Sequence, residues 1–373
     1  MVRPTPVLYD QYDRKISASS TTQDIANGWG GTDSYKGAST TRRQGALWNP
    51  GLGSADAEIS DSLPSLRARS SDLVRNVPLA AGALDTLESH VIGSGLYCQP
   101  NVNAEVLGIT PEQAQELEDQ FKREFILWGS TLECDVTRKS TFEGVQQLAF
   151  RSWHERGDVG VSLPMFERPG SLYETKVQLI EADRIDNPWN KGNSETLVNG
   201  VEMTPDGAPI GYHIRKHHPG APWITSGFME SIYMEAFGKK TGRRNMWLLS
   251  DESRVGQTRG IPYLAVALEL FKQVERYTDA ELSAAIVGGS FTVFIKSEDG
   301  EFMPLASTPF GSTTTEGFGE LDYALDYGAI VPLKPGQSIE QANPQRPNRV
   351  FGDFVRAILE QIGTGLGLPF EIL

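Results

Sequence analysis

The sequence predicts an α+β fold, and three observations support this prediction. Helical periodicity dominates residues 66–156, and short β-type runs follow between residues 158 and 249. Two long helical patterns then enclose about 60 residues of strand and turn character. Because helices and strands are segregated along the chain, we expect antiparallel sheets rather than parallel βαβ units.

The composition describes a folded protein with an excess of acidic residues. Of the 373 residues, 39% are hydrophobic and 22% are charged, and the net charge is −14. This charge disfavours a broad basic surface that grips phosphate backbones, but it is compatible with a channel through which DNA slides. The length allows two or three domains, or one large domain.

Cysteine usage and the N-terminus bear on localisation. Cys98 and Cys134 are too few for a disulfide scaffold or a four-cysteine zinc site, so we expect a reducing compartment. The N-terminus lacks the apolar core of a signal peptide, and no run of about 18 apolar residues occurs. We therefore expect neither export by a signal peptide nor a membrane span.

Residues 1–60 predict an extended polar N-terminal arm. They are rich in Ser, Thr, Gly and Asn, without a sustained hydrophobic period. Such a segment cannot bury enough apolar surface to offset its ordering entropy. The isolated aromatic residues Trp29, Tyr35 and Trp48 favour an arm that orders on a neighbouring chain, and a simply flexible tail is the alternative.

A pair of helices is predicted after this arm. Residues 66–75 form the first helix, and Asn76 is expected to cap the second, with Pro78 near its start and Gly93 as its stop. Apolar residues recur at spacings of three and four along the pair, which indicates that it packs on a core: Leu73, Val77, Ala80, Leu84, Leu87 and Val91.

Two further helices are predicted from capping-box sequences. Thr110 to Gln113 begins one, whose apolar residues Leu117, Phe121, Phe125 and Trp128 follow one face. Ser140 to Glu143 repeats the same sequence pattern before Val145, Leu148 and Ala149.

Strands are predicted next, with Asp206-Gly207 in position for a hairpin turn. The runs are short and rich in β-branched and aromatic residues. They comprise Asp158–Phe166, Lys176–Glu181, Ile210–Ile214 and Trp247–Leu249.

The segment that organises the chain is a long helix predicted over residues 262–287. A turn at Arg259-Gly260 precedes Pro262, which suits the first helical position, and the run spans about 26 residues or about 39 Å. Its apolar face contains Leu264, Ala267, Leu268, Phe271 and Val274. Its charged face contains Glu269, Lys272, Gln273, Glu275, Arg276 and Asp279.

A second amphipathic helix is predicted near the C-terminus. Its apolar stripe contains Phe351, Phe354, Val355, Ile358, Leu359 and Ile362, and Gly363, Gly365 and Gly367 are expected to end it. The segment between the two helices predicts a strand at residues 291–295 and a loop rich in Gly, Ser and Thr at residues 311–319.

Two polar clusters could bind a metal ion. His213, His217 and His218 could be zinc ligands, but intervening basic residues favour a solvated hairpin edge. Glu181, Asp183 and Asp186 could serve a magnesium-dependent nuclease. We favour pairing of these acids with Arg184 at a strand end.

Two other motifs have simple structural interpretations. Residues 363–367, G-T-G-L-G, close a helix and lack the Lys-Ser/Thr of a phosphate-binding loop, so a helix C-cap is favoured. The densest basic patch, which could contact DNA phosphate or an acidic partner surface, or could be a solvated loop, comprises Lys239, Lys240, Arg243 and Arg244. No combination of residues in the sequence indicates a catalytic centre or a cofactor.

Several ordered segments resemble the lambda-type portal proteins of tailed phages. They are R-A-R-S-S-D-L-V-R-N-V-P-L-A-A-G-A-L-D-T-L at residues 67–87 with the following V-I-G-S-G-L, G-Q-T-R-G-I-P-Y-L at 256–264, R-Y-T-D-A-E-L at 276–282, and R-P-N, F-V-R-A-I-L and G-L-G-L-P-F-E near the C-terminus. The resemblance extends from about residue 45 to the end of the chain.

This resemblance implies a non-enzymatic subunit of a ring, usually of twelve copies, at one capsid vertex. Double-stranded DNA would be driven through the ring by the terminase large subunit and later ejected. Further implied partners are the major capsid and scaffold proteins and the head-completion or tail-joining proteins. The implied location is the virion, with assembly in the cytoplasm of a bacterial host.

The family architecture of wing, stem and clip implies a division of the chain. Residues 61–260 resemble the α/β wing, 261–288 a long stem helix, 289–346 the β-containing clip, and 347–373 a second stem helix. Family members normally continue beyond the equivalent of Leu373, so we expect either a truncated chain or a degenerate or processed product.

A channel that passes DNA should hold few fixed cations, because each phosphate contact adds affinity and drag. We expect an electronegative lumen with isolated basic rings, for which the candidates are Lys272, Arg276 and Arg356. The alternatives are a metal-dependent nucleic-acid-processing enzyme and another ring-forming adaptor of the virion.

Overall fold

Two antiparallel sheets and two groups of helices make up the folded part of the protein. The computed structural model describes residues 50–221, 230–289, 293–297, 337–341 and 351–373. Residues Ser54–Leu373 cluster as one unit. Most of the predicted N-terminal arm and the loop at residues 311–319 lie outside the described residues.

The described helices and strands follow the order that the sequence predicts. The α-helices are α1 Ala55–Ser60, α2 Leu63–Asn76, α3 Pro78–Val91, α4 Ala104–Leu107, α5 Pro111–Gly129, α6 Phe142–Arg156, α7 Leu268–Gly289 and α8 Phe351–Leu366. The strands are β1 Asp158–Ser162, β2 Gln178–Glu181, β3 Leu197–Val198, β4 Val201–Met203, β5 Pro209–Arg215, β6 Ser231–Glu235, β7 Met246–Ser250, β8 Val293–Ser297 and β9 Gln337–Gln341.

Strands β1 to β7 form two sheets with only antiparallel neighbours. The first has the order β2-β1-β7, and the second has the order β3-β4-β5-β6. The predicted turn at Asp206-Gly207 joins β4 and β5, and Gly207 has φ of 87°. The predicted α+β class is confirmed.

The three-stranded sheet is the middle of three layers, because successive side chains of a strand point to opposite faces. On β7, Met246 and Leu248 pack into the cluster of the four-stranded sheet. Trp247 and Leu249 point the other way, toward a cluster that contains Trp128 of α5 and residues of α6. The order of the layers is therefore four-stranded sheet, three-stranded sheet, then α5 and α6.

A separate helical core joins the two ends of the described chain. It combines α2, α3, α7 and α8, and its largest buried side chain on α7 is Phe271. All five apolar residues predicted for the first long helix are buried there: Leu264, Ala267, Leu268, Phe271 and Val274.

Three predictions about helix starts need correction. The α-helix α7 begins at Leu268, because Tyr263–Ala267 forms a 3₁₀ segment after Pro262. Val77, not Asn76, is the N-cap of α3. At the start of α6, Thr141 is the N-cap but makes no side-chain capping bond. By contrast, the capping box of Thr110 and Gln113 on α5 is confirmed.

The C-terminal glycines also differ from the prediction, because α8 runs through Gly363 and Gly365 and ends at Leu366. Gly363 allows the backbone of Leu368 to approach, since a Cβ there would lie 2.6 Å from the Leu368 carbonyl oxygen. Gly367, with φ of 65°, provides the left-handed residue that caps the helix.

Part of the predicted polar arm is helical. Ser54 caps α1 through a 3.2 Å bond from the Ala57 amide to its hydroxyl. The carboxylate of Asp56 then accepts bonds from the backbone and hydroxyl of Thr258, at 2.8 and 2.7 Å. The composition of this segment alone is typical of a flexible tail. Its contact with a residue 202 positions later in the sequence holds it in place.

Two glycines bring the start of β1 against the turn that precedes α7. A Cβ on Gly260 would lie 1.8 Å from the carbonyl oxygen of Gly157, which itself has φ of 90°. We expect Gly260→Ala to lower the free energy of unfolding by about 2–3 kcal/mol, since two backbones must separate. Denaturant unfolding measures this.

The control is Gly352→Ala on α8, where nothing lies within 4 Å of the added Cβ. Because alanine is the better helix former, this change should be neutral or stabilising by up to about 1 kcal/mol. Equal destabilisation by both changes would contradict the close approach at Gly260.

Candidate functional site

The two long helices predicted from the sequence pack side by side. Ile358 and Ile362 of α8 share a buried cluster with Phe271 of α7. Further along, the ring of Tyr277 stacks on Phe351 with centroids 5.5 Å apart. At the other end, the Tyr263 hydroxyl donates to the Leu366 carbonyl oxygen. Both ends of the pair are therefore tied by aromatic side chains.

Two of the three candidate channel residues line one groove. Lys272 and Arg276 lie with Arg69 of α2 in a groove of about 410 Å³ between α2 and α7. The Lys272 ammonium is 2.7 Å from the Glu275 carboxylate, whereas Arg276 is exposed. Residue Arg69 was not predicted, because it lies some 200 positions earlier in the sequence.

The third candidate, Arg356, is on α8 and does not line this groove. Its Nε donates to Glu360 at 3.0 Å, and its guanidinium lies 5.3 Å from the centre of the Phe370 ring. Lys272 and Arg356 thus each have a carboxylate partner on their own helix. These carboxylates reduce the positive electrostatic potential around the two cations.

The predicted basic patch occupies the connection between β6 and β7. Lys239 pairs with Glu235 of β6 at 2.5 Å, and the Arg244 guanidinium stacks over Phe237 at 4.9 Å. Lys239, Lys240 and Arg244 are exposed, and Arg243 is half-buried. The patch can therefore contact a partner.

The acidic cluster binds arginines, but not the one predicted. Asp183 accepts from Arg156 at 2.7 Å and Arg67 at 3.5 Å. Arg184 instead donates to the backbone carbonyl oxygens of Arg215 and Lys216, each at 3.0 Å. The prediction that Arg184 pairs with these acids is therefore wrong, because its side chain turns toward the end of β5.

Glu181 and Asp183 also lie near a histidine. The Nε2 of His218 is 3.5 Å from Glu181 and 3.6 Å from Asp183, and their three ligand atoms lie within 4.8 Å of one another. Asp186 is not in this group and pairs with Arg215. Arg156 pairs with both Glu181 and Asp183, and its positive charge disfavours a cation at this place.

A buried ionic network links the turn before α7, at Arg259-Gly260, to the sheets. The Arg259 guanidinium binds both carboxylate oxygens of Asp158, at 2.7 and 2.8 Å. Asp158 also accepts from Arg67 at 3.0 Å and from the Gly260 amide at 3.2 Å. The remaining N–H groups of Arg259 donate to carbonyl oxygens at 2.6 to 2.9 Å, those of Ala182, Ile185 and Asn199.

The pKa values of this network follow from burial and proximity. Burial alone would raise the pKa of Asp158, but Arg259 and Arg67 outweigh it and hold that pKa below its usual value. Burial and the neighbouring Arg259 lower the pKa of Arg67 to about 10. The carboxylate of Asp158 is thus charged at neutral pH. Its negative charge balances the positive charges of the two buried guanidinium groups.

Comparisons with known proteins identify the family of this chain. A family model described as "Phage portal protein, lambda family" matches residues 41–373. The chain belongs to the lambda family of phage portal proteins. The resemblance found in the sequence is confirmed, since one model covers both long helices, the sheets and the buried ionic network.

Curated portal proteins are similar over most of the chain. Portal protein B of Escherichia phage lambda is 28% identical over 347 residues, which are 87% of this chain and 63% of that protein. The portal protein of Escherichia phage N15 is 28% identical over 349 residues, with the same coverage of 87% and 63%. The chain therefore spans less than two thirds of the length of these relatives.

Among solved structures, one similar chain comes from the neck of an empty GTA particle computed with C6 symmetry. The alignment covers 89% of this portal-family chain and 75% of the GTA chain. That alignment has 13% identity and a TM-score of 0.46. The neck of a native GTA particle computed with C12 symmetry covers 80% and 68%, with 11% identity and a TM-score of 0.43.

Proposed function

We propose that this chain is a structural, non-enzymatic subunit of a portal ring at one capsid vertex. The ring would be the passage for double-stranded DNA during packaging by the terminase and during later ejection. The observation that carries this proposal is the family match over residues 41–373, which includes the paired helices α7 and α8.

We assign the two long helices to the stem of the ring. The 22 residues of α7 and the 16 of α8 correspond to about 33 and 24 Å. Strands β8 and β9 pair with each other between these helices in sequence, which supports a clip assignment for residues 289–346. The sheets with α2 to α6 would form the wing.

Electrostatics support a passage that does not hold DNA. The net charge is −14, and Lys272 and Arg356 each pair with a nearby carboxylate. If the paired helices line the channel, their isolated cations would form narrow basic rings on an electronegative wall. DNA could then slide, because few phosphates would bind at once.

The proposed partners follow from this role. They are eleven further copies of the chain, the terminase large subunit, the major capsid and scaffold proteins, the head-completion or tail-joining proteins, and double-stranded DNA. The proposed location is the virion vertex, after assembly in the cytoplasm of a bacterial host. Within the described ranges, no helix is both long and apolar enough to cross a bilayer.

Particle size and symmetry test the proposal. We expect the purified chain to form hollow rings with about twelve-fold symmetry, since head-to-tail contacts close by rotation. Light scattering followed by electron-microscopic class averages measures this. A monomer at all accessible concentrations would contradict the proposal, and so would divalent-cation-dependent DNA cleavage that Asp183→Ala abolishes.

A further inference from the structure

Helix α5 exposes an apolar surface on the outermost layer of the protein. Its residues Phe125 and Trp128 rest on Phe142 of α6, with ring centroids 5.4 and 5.0 Å from that of Phe142. The predicted apolar face is otherwise open, since Leu117 is 37% exposed and Phe121 is 58% exposed.

Two further apolar side chains are exposed on other sides of α5. Ile126 and Leu127 are 53% and 47% exposed. Grooves of about 620 and 760 Å³ lie on the two flanks of α5, and aromatic side chains line both. Exposed apolar side chains beside two aromatic-lined grooves indicate a protein contact.

This apolar surface is surrounded by negative charge. Helix α5 contains five acidic residues and two basic ones, which gives a net charge of −3. The acidic residues are Glu112, Glu116, Glu118, Asp119 and Glu124, and the basic residues are Lys122 and Arg123. A partner for α5 should therefore combine apolar side chains with positive charge.

The basic patch after β6 has these properties. Tyr233 and Phe237 are 41% and 45% exposed. Lys239, Lys240 and Arg244 are exposed beside them, and Lys239 also contacts Glu235 of its own copy. This surface combines aromatic rings with cations, as the surface of α5 combines apolar side chains with carboxylates.

The two surfaces lie on opposite sides of the layered structure. On β6, Met234 points inward to the sheet-sheet core, so its neighbours Tyr233 and Glu235 point outward. Helix α5 covers the far face of the other sheet, through contacts of Trp128. Surfaces on opposite sides are what a head-to-tail contact requires.

We propose that the β6 edge of one copy, with Tyr233, Phe237, Lys239, Lys240 and Arg244, docks on α5 of the next copy in the ring. This inference rests on the proposed ring and specifies one of its contacts. The contact is heterologous, so each copy uses both surfaces and the chain of contacts can close. Carboxylates of α5 would face the lysines, and the grooves would receive the aromatic rings.

Charge reversal and its rescue test the contact. The variant Lys239→Glu/Lys240→Glu should raise the protein concentration for half-assembly by about tenfold or more, because like charges then face each other. The variant Glu116→Lys/Asp119→Lys should do the same. Combining all four changes should restore assembly to within about threefold of the unchanged chain. Mass photometry measures the assembled fraction.

The matched control is Arg75→Glu/Lys191→Glu, two exposed residues outside both surfaces, which changes the net charge by the same amount as the lysine variant. It should leave assembly unchanged. Circular dichroism of each variant identifies any loss of folding. Rescue by the combined variant cannot result from misfolding, because a misfolded variant would not regain assembly through a second charge reversal.

Cysteine cross-linking provides an independent measurement. In a Cys98→Ser background, Tyr233→Cys combined with Leu117→Cys should give a ladder of oxidised oligomers, and either change alone should not. The second native cysteine does not interfere, because Cys134 is buried and its pKa is raised to about 11.

The outcomes separate this contact from the proposed ring. Rings that form without a ladder, and without an effect of charge reversal, would overturn this contact and leave the portal role intact. A monomer without a ladder would overturn both. A ladder without closed rings would support the contact and contradict the proposed ring.

Discussion

Replacing Asp158 with asparagine should lower the free energy of unfolding by about 3–5 kcal/mol, because it leaves two buried guanidiniums without their counter-charge. The side chain of Asp158 is 0% exposed, and those of Arg259 and Arg67 are 1% and 7% exposed. Urea unfolding at fixed protein concentration and neutral pH measures the loss. Asp119→Asn, on the exposed side of α5, is the control and should change the stability of the unassembled chain by less than about 0.5 kcal/mol.

The pH dependence gives a second readout of the same group. The pKa of Asp158 is lower in the folded protein than its usual value, so its stabilisation is present above the usual aspartate pKa. That stabilisation is lost as the pH falls through the folded-state pKa. The difference between the unchanged chain and Asp158→Asn should therefore narrow in acid. A difference independent of pH would show that packing, rather than charge, carries the effect.

The network has a consequence for the proposed ring. Arg259 immediately precedes Gly260 and the 3₁₀ segment that leads into α7, and it binds a carboxylate at the start of β1. A force applied along α7 would therefore reach the sheets through a buried ion pair and a close contact of two backbones. We expect the base of this helix to move with the sheets as one body.

The helices and their buried faces could be predicted because their information is local. The capping box at Thr110 and the spacing of Leu264, Phe271 and Val274 each fall within a few turns of chain. Local sequence thus specified the helices α2, α3 and α5 to α8. It did not specify where the helices begin and end. At those positions a 3₁₀ turn, an α-helical turn and a helix end at glycine differ little in free energy.

The buried network could not be predicted from the sequence, because arginine usually signals solvent exposure. Arg259 and Asp158 are 101 positions apart, and Arg67 and Asp158 are 91 apart. The one available signal was the pairing of Arg259 with Gly260 in a turn before a long helix. Nothing in that pattern identifies a partner at the start of β1.

The candidate channel residues show the same limit. The sequence placed Lys272 and Arg276 on the charged face of one helix, and the structure agrees. It could not show that Arg69 joins them or that Arg356 stacks near Phe370. Whether these residues face DNA depends on neighbouring copies, so their role in the channel stays a proposal.

Replacing Phe271 with alanine should lower the free energy of unfolding by about 3–5 kcal/mol, because it opens a cavity where α2, α3, α7 and α8 meet. The Phe271 side chain is fully buried in their shared cluster, whereas Leu282 on the same helix is 60% exposed. Leu282→Ala is thus the matched control and should cost less than about 0.5 kcal/mol in the unassembled chain. Phe271→Leu should fall between them, since it keeps most of the buried volume. Denaturant unfolding of the three variants measures the order, and a similar cost for Phe271→Ala and Leu282→Ala would mean that the long helices do not share this core.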